Sequence, residues 1–174
     1  MYAADQRLHL FFVRHRAPWW RPDAALVHLL VGCPNHVNTA IGSTVYIVQP
    51  GRGNCLQLPL DAYLANVHIG VAHLSAEVMD PARAITAAEL FAVGPMTRRR
   101  SVLRGIFGFA SIHDIDCVSA AVLVTNAAGH WCPCPRTPKG LLAWLSSHPQ
   151  FTSRLQPSPP SSLWARLKRT RPSS

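Results

Sequence analysis

The stretch that decides the fold is His36-Val37-Asn38-Thr39-Ala40-Ile41-Gly42-Ser43-Thr44-Val45-Tyr46-Ile47-Val48-Gln49. Two runs of strand-forming residues flank Gly42-Ser43, and such runs joined by a short Gly-containing link predict a β-hairpin. Gln49-Pro50-Gly51-Arg52-Gly53-Asn54 makes the next turn, and Cys55-Leu56-Gln57-Leu58 alternates as a third strand. The region therefore reads as a small antiparallel sheet or half-barrel.

Upstream, Leu8-His9-Leu10-Phe11-Phe12-Val13 is apolar and aromatic enough for a buried strand. Ala17-Pro18-Trp19-Trp20-Arg21-Pro22 turns the chain, and Pro22 suits the first turn of a helix from Asp23 to about Val31. Gly32-Cys33-Pro34-Asn35 stops that helix just before His36. Downstream, Pro59 to Leu64 predicts a short helix. Val67 to Leu74 predicts a strand, with Val67, Ile69 and Val71 alternating against His68, Gly70 and Ala72. Asp80-Pro81 opens a helical segment to about Val93, closed by Gly94-Pro95. Met96 to Ile112, with Arg98-Arg99-Arg100, fits no single element.

Asp114-Ile115-Asp116-Cys117 then leads into Val118 to Val124, an apolar run long enough for three turns of buried helix. A cysteine at a helix N-terminus is where a nucleophilic thiol is favoured, because the partial positive charge there stabilises thiolate over thiol. Asn126-Ala127-Ala128-Gly129 ends the helix, and His130-Trp131-Cys132-Pro133-Cys134-Pro135-Arg136 is a proline-broken loop. Thr137-Pro138 caps a last helix from Lys139 to about Ser146, with Leu141, Leu142 and Leu145 inward.

With 174 residues the chain can bury a core of its own. Residues 1–148 read as one domain and 149–174 as a basic tail rich in Ser and Pro, expected to be disordered. No apolar run is long enough to cross a bilayer and no signal-peptide pattern opens the chain, so the expected location is the cytoplasm. The five cysteines are odd in number and do not read as a disulfide framework. The net charge is +9, and no Asp or Glu follows Asp116. A basic tail of this kind attracts nucleic acid or an anionic membrane surface weakly and without specificity.

A Cys117 nucleophile needs an imidazole to take its proton and a polar group to orient that imidazole. His36, opening a strand after a tight turn, is placed to project from the sheet edge towards a helix N-terminus. Gln49, ending the next strand, is placed to accept from its ring. His130, Cys132 and Cys134 suggest a metal reading, with His113 or Asp114 as further ligands. A one-residue gap between cysteines is not the usual zinc spacing, so no metal and no cofactor is expected.

Leu26 to Tyr63 resembles the first half of the permuted papain-like fold of the NlpC/P60 superfamily, closest to its YaeF/YiiX-like lineage. The resemblance rests on Gly32-Cys33-Pro34-Asn35, His36 to Ile41, Val45 to Gln49 and Leu56-Gln57-Leu58-Pro59-Leu60-Asp61-Ala62-Tyr63. It continues in Cys117-Val118-Ser119-Ala120-Ala121-Val122, Gly129 and Thr137-Pro138-Lys139-Gly140-Leu141-Leu142. It implies an α+β fold with the Cys117 helix packed on the sheet, and a cysteine hydrolase or acyltransferase using Cys117, His36 and Gln49. The implied substrates are cell-wall peptide amides or lipid-linked esters and amides. Two departures stand out: Gln49 stabilises imidazolium less than a carboxylate does, and Asp116 opposes a thiolate beside it. The alternatives are a binding module of the same fold without turnover, and a basic nucleic-acid-binding protein.

Overall fold

The computed structural model describes residues 7–14, 33–49, 54–66, 70–93, 116–133, 135 and 137–154. The expected helix from Asp23, the Arg98-Arg99-Arg100 segment, His113 and Asp114 lie outside them. The elements are β1 (Arg7–Val13), β2 (His36–Ile41), β3 (Thr44–Gln49), β4 (Asn54–Pro59), α1 (Leu60–Asn66), β5 (Gly70–Glu77), α2 (Pro81–Val93), α3 (Cys117–Ala127), α4 (Pro138–Ser146) and β6 (Thr152–Arg154). The fold is α+β. One six-stranded sheet has the order β4-β3-β2-β1-β5-β6, and every neighbouring pair is antiparallel.

Strand β1 lies inside the sheet, between β2 and β5, which is why its run is apolar on both faces. Leu8, Leu10 and Phe12 point to the helices and are 0% exposed. They pack with Val37, Ile41, Tyr46, Val48, Ala72, Leu74 and Ala76 from the sheet, and with residues of α2, α3 and α4. Each fully buried Val, Leu, Ile or Phe of this set stabilises the fold by about 1.5–3 kcal/mol. Phe11 and Val13 point the other way and join Ala40, Val45 and Tyr63 in a second, smaller cluster. On that face Asn38 Nδ2 donates to Tyr63 Oη at 2.8 Å, and the His9 and His73 rings share a hydrogen bond of 3.0 Å.

The helices begin where their caps stand. Asp80 Oδ1 accepts from Arg83 N at 3.0 Å and starts α2, while Thr137 Oγ1 accepts from Gly140 N at 3.1 Å and starts α4 behind Pro138. Asp116 starts α3 through a capping box: its carboxylate accepts from the Val118 and Ser119 N–H groups, and the Ser119 hydroxyl accepts from Asp116 N. Gly129 follows α3 with φ of +97°, a conformation that disfavours any side chain. Among the described residues no helix is long and apolar enough to cross a membrane.

Two expectations need correcting. The strand expected over Val67 to Leu74 is described from Gly70 and continues to Glu77 as β5, residues 67–69 lying outside the described ones; its core-facing residues are Ala72, Leu74 and Ala76, with His73 and Ser75 on the opposite face. Alanines small enough to sit under helices gave the weaker hydrophobic signal. The folded unit also extends beyond residue 148: Phe151 is buried in the main core, and Thr152–Arg154 pairs with β5 as an edge strand. A three-residue strand carrying Thr, Ser and Arg has too little apolar pattern to be legible.

Candidate functional site

Cys117 is the first residue of α3, and its side chain packs against the main core where the helix meets β2 and β3. The β2–β3 pairing runs from Ile41↔Thr44 to Thr39↔Tyr46 and stops there. Beyond that point the strands border a hollow lined by Val37, Thr39, Tyr46, Val48, Cys55, Cys117, Ala120 and Val124. Its cavity volume is about 10 Å³, room for little more than a single water molecule. Its walls are mostly apolar, so a charged group entering it loses hydration with little to replace it.

The sulfur of Cys117 is held between opposing influences. Backbone N–H groups of Val37, Cys117 and Val118 stabilise the thiolate, as expected at a helix start. Burial, first, and the neighbouring Asp116 carboxylate, second, oppose it, and together they push the thiol from an ordinary 9.0 up to about 12. In this conformation the protonated thiol is therefore the dominant form at neutral pH. Asp116 also occupies the N–H groups of Val118 and Ser119 with Oδ1, at 2.9 and 2.7 Å. The Cys117 and Val37 N–H groups are then the donors at this corner that an oxyanion would meet.

His36 opens β2, directly before Val37, so the fold brings the backbone of the expected base to the expected nucleophile across 80 residues of chain. The ring is directed elsewhere. Alternation along a strand puts neighbouring side chains on opposite faces. Val37 faces α3, and His36, cross-strand from Val13, shares the face of Asn38 and Tyr63. Among the described residues no hydrogen bond joins the His36 ring to the Cys117 sulfur. The expectation that the ring projects towards the helix start is thus corrected by one step of the pleat.

Gln49 ends β3, and the hairpin register carried to the strand ends sets it opposite His36. The two share a parity, as expected of base and orienter, while the side chain of Gln49 lies outside the described residues. The structure brings together Cys117 and the start of β2, whereas the His36 ring lies on the other face of the sheet and the recognised β2–β3 pairing ends before His36 and Gln49.

The other candidates resolve differently. His130 is buried, and both ring nitrogens are engaged, Nε2 donating to the Glu77 carbonyl at 2.6 Å and Nδ1 within 3.2 Å of Gln150 Oε1. Cys132 is buried, with its Sγ donating to the Pro133 carbonyl at 3.2 Å, and Cys134 lies outside the described residues. His130 is thus a structural tie between α3, β5 and the approach to β6. Sequence reasoning overlooked Cys55, which shares the hollow with Cys117 and whose thiol burial pushes up. The two registers could have found it. Val48 pairs with Cys55 and Tyr46 with Gln57, which puts Cys55 on the face of Tyr46 and Val48. Comparison with protein-family models, with curated proteins and with solved structures finds no match.

Proposed function

We propose that the chain is a cysteine-dependent hydrolase or acyltransferase of permuted papain-like architecture, acting on an amide or ester. The observation that carries this reading is the meeting of Cys117, at the start of α3, with the Val37 N–H at the start of β2. A nucleophile, two backbone donors for an oxyanion and the backbone of a histidine converge there from distant parts of the chain. Cys117 attacks the carbonyl carbon, His36 takes the thiol proton and returns it to the leaving group, and Gln49 orients the ring. With the ring on the other face and the thiol protonated, the described conformation is a resting one. Turnover requires the start of β2 to rearrange so that imidazole reaches sulfur.

The test is acylation. Incubated with a panel of p-nitrophenyl esters, the protein is expected to release a burst of p-nitrophenol and to carry the acyl group on the peptide containing Cys117, as read by mass spectrometry. Cys117→Ala removes both signals and His36→Ala slows the burst by about 10²-fold or more, the range of general-base catalysis. A burst unchanged in Cys117→Ala rejects the reading.

One observation favours a second reading, that of a binding module that has kept the fold without turnover: the thiol pushed up to about 12. That reading expects alkylation of Cys117 only well above neutral pH, with no inflection assignable to a histidine.

A further inference from the structure

The hollow beside Cys117 has a mouth and a floor. Cys117, Ala120 and Val124 lie on one stripe of α3, at i, i+3 and i+7. Ala120 and Val124 are 5% and 1% exposed, whereas Cys117 is only partly buried, so the hollow deepens from the sulfur along the first two turns of the helix. On the sheet side it is closed by Thr39 and Tyr46, buried and directly cross-strand, and by Val48. Cys55, paired with Val48 and also partly buried, completes the rim with Cys117. Val48, Ala120 and Val124 stand on β3 and α3, apart from the start of β2 whose rearrangement the proposed reaction requires.

What enters is limited by size and by polarity. A cavity of about 10 Å³ takes one water-sized group, and a methyl is such a group. Apolar walls favour the methyl over a charged end, and a close-packed core resists further methylenes. Which half of the substrate goes in follows from the order of events. When the Cys117 sulfur bonds to the carbonyl carbon and the carbon–oxygen or carbon–nitrogen bond breaks, the leaving group departs with the thiol proton delivered by His36. Water then adds to the same carbon, the sulfur–carbon bond breaks and a water proton returns to sulfur. The departing half and the water need the mouth, while the acyl half stays throughout and needs the floor. We infer that Cys117 accepts short acyl groups of acetyl size, with Val48 and Val124 setting the limit on length. This deepens the acylation reading above and rests on it. A fatty-acyl or peptidyl donor is too large for this floor.

The experiment measures single-turnover acylation of Cys117 in the full chain by p-nitrophenyl acetate, butyrate and hexanoate, each rate divided by that of free cysteine with the same ester. Acetate is expected to lead butyrate by about tenfold or more, the least that an extra methylene costs in a fitted pocket. Val124→Ala and Val48→Ala each deepen the floor and are expected to narrow that ratio to within about threefold. Thermal melting checks that the variants fold, and either one suffices. Equal rates across the three esters, or a ratio unmoved in a folded variant, overturn the inference while acylation of Cys117 still upholds the reading beneath it. No acylation of Cys117 by any ester overturns both.

Discussion

Asp116 both starts the helix that Cys117 opens and opposes the ionisation of its thiol. The two effects separate by substitution. Asp116→Asn keeps an N-cap acceptor and removes the charge, so the pH at which iodoacetamide labels Cys117 is expected to fall. Asp116→Ala also removes the charge but loses the cap, which costs about 1 kcal/mol in urea unfolding. An unchanged labelling profile in Asp116→Asn would show that burial alone controls the thiol.

The same thiol makes stability depend on alkaline pH. Its proton is held to about pH 12 in the folded state against an ordinary value of 9.0. From pH 9 upwards the unfolded chain binds fewer protons than the folded one, so stability falls as pH rises, by at most about 1.4 kcal/mol per pH unit. Tyr46 and Tyr63, both raised chiefly by burial, act in the same direction above pH 10.0. The part due to Cys117 is therefore the difference from Cys117→Ser, whose unfolding free energy should decline less steeply over pH 9 to 11.

Gly129 is expected to reject alanine for two separable reasons. Its φ of +97° strains a side chain, and an added Cβ would lie 2.8 Å from Met79 Cβ. Gly129→Ala should cost about 2 kcal/mol. Pairing it with Met79→Gly should restore only the steric part, and complete restoration would show that the backbone is unstrained.

Asn126 should matter more than a half-exposed amide usually does. Asn126→Ala leaves the buried Cys132 N–H without its acceptor at a cost of about 1–3 kcal/mol. Asn126→Asp keeps the acceptor and should lose less. The measurement is the urea midpoint, with Trp131 emission reporting whether the loop loosens.

Much of the fold was legible because its signals are local. The hairpin came from two strand-like runs around Gly42-Ser43, and α3 and α4 from capping residues ahead of apolar turns. Strand β6 and the end of β5 at Glu77 were not, since pairing with a distant strand defines them more than their own composition does. For the site, chain order located the corner where Cys117 meets β2, but not the face taken by His36. That face depends on parity: Val37 and Ile41 carry the apolar side, so His36 falls on the other. Reading the apolar side of the strand first would have shown it.

The position of β1 inside the sheet governs the order in which the chain can fold. Strands β2, β3 and β4 pair through connections of two and four residues, whereas Leu8 meets Ile41 on one side and Ala76 on the other. Loop closure delays such distant pairings, so the β2–β4 meander gathers first and β1 is threaded beside it once β5 exists. Pulse-labelled hydrogen exchange during refolding should protect the amides of β3 before those of β1. The corner at Cys117 needs α3 as well, which follows β5 in the chain, so in the same experiment the Cys117 thiol is expected to become protected from iodoacetamide only after the β3 amides are protected.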